Sequence, residues 1–206
     1  MYKSLDHFLA RAQATLDPIE GEEQLPEVGD YEQFEETPKD LRPAAVLIPI
    51  IQRAAGPTVL FTQRPETMAA HPGQVAFPGG KIDARDANPV AAALREAEEE
   101  VGIRASDVDL IARSAPYVTG SKFRITPVIG VLPKEFAAIP DPTEVAEVFE
   151  APLEYIMTAA NHQRKSVFWE GRTRRYIEMP WQGFRIWGVT AGIIRELYKA
   201  VYESEH

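Results

Sequence analysis

The sequence predicts a single domain of α/β or α+β type, with helices layered on a mixed β-sheet. Two observations carry this. Short apolar runs of strand length, bounded by turn residues, are interspersed with segments of helical periodicity, and the two kinds do not alternate regularly. The 206 residues are 45% hydrophobic and 26% charged, which suits one packed core.

Residues 1–40 read as an accessory segment: a short helix capped by Ser4 or Asp6 with Leu5, Phe8, Leu9, Ala12 and Leu16 on one face, then a Glu- and Pro-rich arm from Asp17 to Asp40 lying on the main domain. The main domain spans residues 41–206. Ala44 to Ile50 is a continuous apolar run, the mark of a buried strand, and the Gly56-Pro57 turn sends Thr58 to Thr62 back as its hairpin partner. Gln74 to Phe77 is a short strand ending at Pro78-Gly79-Gly80. A helix then starts at the N-cap Asn88 with Pro89 in its first position, runs through Ala91, Leu94 and Ala97 to Val101, and stops at Gly102. Val108 to Ala112 and Ile125 to Leu132 are further strands, and Glu144 to Phe149 is a strand or short turn. Trp187 to Tyr202 is an amphipathic helix with Ile193, Ile194, Leu197 and Val201 inward. His71 beside Pro72 shapes a turn, and His162 falls in a polar loop with Arg164 and Lys165.

Composition narrows function. Without cysteine there are no disulfides, zinc thiolates or cysteine nucleophiles. The N-terminus shows no secretory pattern and no apolar run is long enough to span a bilayer, so a cytoplasmic protein without a membrane partner is expected. A net charge of −9 disfavours a nucleic-acid polymer as partner, whereas clustered carboxylates suit hard divalent cations.

Such a cluster stands in the helix that follows Gly79-Gly80. Glu96, Glu99 and Glu100 are related by i, i+3 and i+4 and share a face, while Glu98 lies roughly 200° round from Glu96. Like charges on one face repel, more so near a helix C-terminus, and Arg95 pairs with only part of them. Mg²⁺ or Mn²⁺ would neutralise the rest, bridge to substrate phosphates and activate water. The Gly79-Gly80 turn would let backbone approach an anionic ligand. Alone, a Glu-rich stretch is ordinarily a solvated face and Gly-Gly only a turn. Their combination at fixed spacing is what stands out.

The segment from Gly80 to Ile103 resembles the Nudix box, G-x5-E-x7-R-E-U-x-E-E-x-G-U with U aliphatic. Arg95 to Ile103 matches it except for the small Ala97 at the aliphatic position. Where the box has its first Glu this chain has Asp86, followed by one residue more than the pattern allows. The position is open between that carboxylate and a simple loop cap. The resemblance implies a Nudix-type α/β/α sandwich with a mixed sheet, hydrolysis of a nucleoside diphosphate linked to another group, metal binding by Glu96, Glu99 and Glu100, and an Arg95 that orients a glutamate. Upstream, Leu60 to Pro65 and His71 to Gly80 are similar to the motif of the coenzyme A diphosphatase branch, with Pro65 at a Ser or Ala position and Ala69 at an Arg position. This implies coenzyme A or an acyl derivative as the small-molecule diphosphate substrate. ADP-ribose or another dinucleotide is the alternative, and a non-catalytic binding domain a third. Arg64, Lys81, Gly79 and Gly80 are the substrate-binding candidates. Glu99, Glu144 and Glu147 are candidates for the general base. A homodimer is allowed for.

Overall fold

The structure, a computed structural model, describes residues 1–29, 40–68, 71–169 and 171–203. It opens with helix α1 (Leu5–Thr15), whose N-cap Ser4 accepts the His7 amide, and which buries Phe8 and Ala12. The chain then follows the main domain. The Asp17 side chain accepts the Gln24 amide, Glu23 and Glu27 pair with Arg124, and strand β1 (Val28–Gly29) ends the first described stretch. The expected arm between residues 30 and 39 lies outside the described residues.

The apolar run expected as a buried strand is β2 (Arg42–Ile51), and the Gly56-Pro57 turn returns the chain as β3 (Thr58–Gln63), with Ile50 opposite Val59. Next come β4 (Val75–Ala76) and β5 (Gly79–Lys81), then helix α2 (Pro89–Val101). Asn88 caps α2 by accepting the Ala91 amide, and Gly102 ends it at φ 73°. Strands β6 (Asp109–Arg113), β7 (Tyr117–Val118), β8 (Phe123–Leu132) and β9 (Glu147–Pro152) follow, and a single-turn α3 (Leu153–Ile156) leads into β10 (Gln163–Trp169), β11 (Arg172–Trp181), β12 (Phe184–Trp187) and α4 (Gly188–Tyr202).

The main sheet runs β1-β7-β8-β2-β3-β4, with β5 on β2, β6 on β8 and β9 on β3. It is mixed. The parallel β2–β8 ladder runs from Arg42 opposite Phe123 to Ile51 opposite Leu132, while β2–β3 and β2–β5 are antiparallel. One face packs Ala45, Leu47, Leu60 and Val128 under Val90, Ala93, Ala97 and Val101 of α2. The other packs Ile48, Val59, Phe61 and Ile129 under α1 and α4. This is the expected α/β/α sandwich. Because strand side chains alternate, two fully buried faces demand the continuous apolar run seen in β2.

Two expectations are corrected. Gly79-Gly80 is expected as a turn but forms β5. Residues 163–187, expected partly as a polar loop, form a separate antiparallel sheet, β10-β11-β12. His162 is accordingly not in a loop with Arg164 and Lys165. It is buried before β10, its Nε2 bonded to the Ile156 carbonyl, and burial lowers its pKa. Among the described residues, no helix is long and apolar enough to cross a membrane.

Phe8 is fully buried in the cluster that α1 shares with α4. Phe8→Ala is expected to destabilise the protein by about 3–5 kcal/mol, and Asn88→Ala by about 1 kcal/mol through the lost cap. Urea unfolding checks both. A loss at Phe8 no larger than that at Asn88 would mean that α1 contributes little to the fold.

Candidate active site

The site is built where β5 crosses α2. A Cβ at Gly79 would collide with the Ala45 carbonyl and the Val46 Cα, and a Cβ at Gly80 would lie 2.5 Å from the Glu96 carboxylate. Glycine at 79 lets β5 lie this close to β2, and the bare Gly80 leaves the Glu96 carboxylate its place. The approach expected of these glycines is to a ligand anion. The groups found beside them are the protein's own carboxylates: Glu96 against Gly80, and Glu100, which accepts the Gly79 amide.

Glu100 is 6% exposed, and its Oε2 has no hydrogen-bond partner among the described residues. Burial, reinforced by the neighbouring charges of Glu96 and Glu144, pushes its pKa up to about 8, against the Gly79 amide and the Arg64 charge, which favour the anion. Arg64 lies beyond β3, its amide bonded to the Gln74 carbonyl, and its Nε is likewise buried without a partner.

Glu144 reaches this site through the loop after β8. The Ile139 and Asp141 amides donate to the carbonyls of Val101 and Glu100, acceptors that the end of α2 leaves open. Glu147 starts β9 opposite Gln63 and is exposed. Of the two late glutamates it is Glu144 that acts on Glu100.

Arg95 holds the other side. Its Nε and Nη2 donate to the two oxygens of Asp86 at 2.9 Å each, and its Nη1 donates to Glu96 at 2.8 Å and Glu99 at 3.0 Å. Nη2 also reaches the Lys81 carbonyl. The fork on Asp86 is the bidentate geometry for which guanidinium and carboxylate are matched. It holds the Asp86 pKa down at about 2, first by the Arg95 hydrogen bond and then by the Asp83 amide, which Asp86 also accepts. Asp86 therefore does both jobs left open by its sequence: it caps its loop and it anchors Arg95. Its side chain is one methylene shorter than Glu, and its loop is one residue longer, so the two departures offset each other.

The three glutamates of the face differ in setting. Glu96 and Glu100 sit against the β5 backbone, whereas Glu99 is half exposed and shared between Arg95 and Arg85. Among the described residues no three carboxylates stand close enough to form a ready cation cage. The donor chemistry nevertheless fits a hard cation at Glu96 and Glu100, because a buried carboxylate oxygen lacks a partner there. Lys81 is exposed, with its carbonyl rather than its ammonium engaged at the site. Glu98 points away into solvent, as the helical spacing requires. Ala69 lies outside the described residues.

A pH prediction follows for the metal-free protein. Native Glu100 keeps its proton up to about pH 8, whereas the unfolded chain releases it near the ordinary carboxylate value. The stability this proton confers is complete below the ordinary value and is lost as pH rises through about 8. With chelator present, the melting temperature of the wild type should fall over that window more than that of Glu100→Gln, by an amount bounded by roughly 1.4 kcal/mol per pH unit. Parallel melting profiles would contradict the buried, protonated Glu100.

Comparison with known proteins agrees with this architecture. Residues 41–169 match the NUDIX domain. A protein of Citrobacter koseri described as an uncharacterized Nudix hydrolase, NudL, is 38% identical over 194 residues, covering 94% of this chain and 93% of that one. A counterpart of the same description from an Enterobacter species is 43% identical over 156 residues, covering 76% and 81%. Among solved structures, the binary complex of a C. elegans Ap4A hydrolase aligns with a TM-score of 0.47 at 18% identity, over 54% of this chain and 80% of that one. The matched domain runs from the first residues of β2 through β10 and includes β5 and α2, so the glycine crossing and its carboxylates lie within it: the chain belongs to the Nudix hydrolase family.

Proposed function

We propose that this Nudix hydrolase cuts the diphosphate linkage of coenzyme A or an acyl-coenzyme A, releasing adenosine 3′,5′-bisphosphate and a 4′-phosphopantetheine product. The observation that carries hydrolysis is the buried, unpartnered Glu100 oxygen beside Glu96 at the β5 crossing. These two residues would hold Mg²⁺ or Mn²⁺, with Glu99 as the outer ligand. When bound, the cation supplies charge neutralisation at the phosphoryl oxygens and a more acidic attacking water.

The remaining roles belong to the chain. Arg95, anchored by Asp86, fixes the orientation of Glu96 and Glu99. After Glu96, which is assigned to the cation, Glu144 is the carboxylate that acts on Glu100 and so the preferred proton acceptor from water. Arg64 offers a buried donor without a protein partner, suited to a phosphate oxygen. Lys81 adds an exposed positive charge at the rim.

Support for the coenzyme A branch is the pairing of its two motif halves. Thr62 lies opposite Ala76 and Gln63 opposite Val75, so Thr62-Gln63 pairs with the short strand that leads directly into Phe77-Pro78-Gly79-Gly80. Ala69 in place of the branch's Arg favours the second reading, hydrolysis of ADP-ribose or a related dinucleotide. The cytoplasm is the compartment this reading assumes.

Glu96→Gln and Glu100→Gln are expected to lower turnover by orders of magnitude while the metal-free fold is kept. Mg²⁺ or Mn²⁺ should raise the wild-type melting temperature, because a ligand of the native state stabilises it by mass action, and the double variant should lose that rise. Full activity in both single variants would overturn the assignment.

For the substrate, coenzyme A, its dephosphorylated form, ADP-ribose and NADH are compared with wild type and Ala69→Arg. Coenzyme A should be cleaved with a high KM that Ala69→Arg lowers about tenfold to a hundredfold, the worth of one hydrogen bond to a charged group. A wide preference for ADP-ribose, with coenzyme A turnover unmoved by the substitution, would transfer the proposal to the second reading.

A further inference from the structure

An open cleft of about 530 Å³, lined by the β10–β11 hairpin, α4, Gly29 and Tyr117, lies where the hydrolytic residues do not touch it. Arg164, Lys165, Arg175 and Tyr176 of the β10–β11 hairpin line one side, and Arg195 and Lys199 of α4 the other. In the hairpin register Arg164 lies opposite Ile177 and Ser166 opposite Arg175, so both arginines project from the same face. On α4 the lining positions are Gly188, Gly192, Arg195, Glu196 and Lys199, so one carboxylate stands among the cations. The bare Gly192 gives its space to the Tyr117 ring, which lines the same cavity.

The charge of this region runs against that of the protein. Residues 163–187 carry six Lys or Arg against two Glu, in a chain of net charge −9. Arg195 is paired with Glu203 and Lys199 with Glu196. Arg164 and Lys165 have no carboxylate within ion-pair distance among the described residues. Arg164 and Arg175 on one wall and Arg195 and Lys199 on the other place cations around a space of this size, which suits a phosphorylated ligand.

Strand registers locate the cavity. Tyr117, which lines it, lies opposite Ile125, which is opposite Ala44, which is opposite Lys81. That is three strand spacings from β5, roughly 14 Å. Tyr117 also belongs to the α4 side of the sheet, whereas Glu96 and Glu100 project from α2 on the other.

We propose that this cavity binds a nucleotide-sized anion bearing a phosphate monoester, apart from the hydrolytic carboxylates. The ligand can be the phosphorylated adenosine end of the substrate or a separate nucleotide. Binding stands whether or not the proposed reaction does.

The test titrates adenosine 3′,5′-bisphosphate by calorimetry into the full chain with chelator present. Wild type should bind saturably. Arg164→Ala/Lys165→Ala, exposed strand positions that leave the core intact, should weaken binding at least about tenfold. Arg164→Lys should retain most of it, and Glu96→Gln should bind as wild type. No saturable binding at millimolar ligand, or equal affinity in wild type and double variant, would overturn the proposal. Kinetics separate the two sources. If the double variant raises KM for coenzyme A but not for its dephosphorylated form, the ligand is the substrate's own phosphate; if neither KM moves while the titration still responds, it is a separate nucleotide. A wild type that binds the bisphosphate but cleaves no diphosphate would count against the reaction alone.

Discussion

The contact on which this structure depends is the crossing of β5 over α2. Two consecutive residues without side chains let β5 lie against β2 at Gly79 and against the Glu96 carboxylate of α2 at Gly80. The close approach buries Glu100 and sets Glu96 beside it, which creates an electrostatic problem that folding alone does not solve. One amide from Gly79 and one distant guanidinium compensate Glu100 only in part, so its proton is held to about pH 8. A site that keeps a carboxyl protonated until a cation replaces the proton couples metal binding to proton release. The caps of α2 serve the same contact, because they fix where the helix starts and stops under the sheet.

Arg95 turns this crossing into a defined geometry. It spans four groups: both oxygens of Asp86, the Glu96 and Glu99 carboxylates, and the Lys81 carbonyl. A lysine could not do so, since a point charge lacks the planar fork. Asp86 matters because it holds that fork at its far end, leaving Nη1 for the glutamates. The box pattern tolerates an inserted residue and a shorter acid here because what must be conserved physically is where the carboxylate ends, not how the loop arrives.

Much of this was legible in residue order. Asn88-Pro89 and Gly102 bound α2, continuous apolar runs mark β2 and β8, and i, i+3, i+4 spacing puts three glutamates on one face. What stayed hidden depends on partners distant in sequence. Gly79-Gly80-Lys81 has no strand propensity, and it becomes β5 only because β2 offers an edge to pair with. The β10–β12 sheet has charged residues where a half-buried strand would alternate, so Gln163 to Lys165 reads as loop. Its strands are held by their own ladder more than by a core. Glu144 is one of three candidate bases that residue order does not rank, because the loop contacts that bring it near Glu100 are backbone hydrogen bonds to the end of α2.

The distribution of charge completes the argument. A chain of net charge −9 repels an anionic diphosphate at long range, yet screening reduces that field to a neighbourhood of about 8 Å at physiological salt. Within such a distance only local charge counts. Glu96 and Glu100 sit against β5, and Glu96 and Glu99 are tied to Arg95 and Arg85, whereas Arg164, Lys165 and Arg175 of the β10–β11 hairpin are exposed. An approaching phosphate would therefore meet the positive sheet as a surface and the carboxylates as a recess. On the proposed assignments, attraction and hydrolysis come from different residues, on opposite sides of the main sheet.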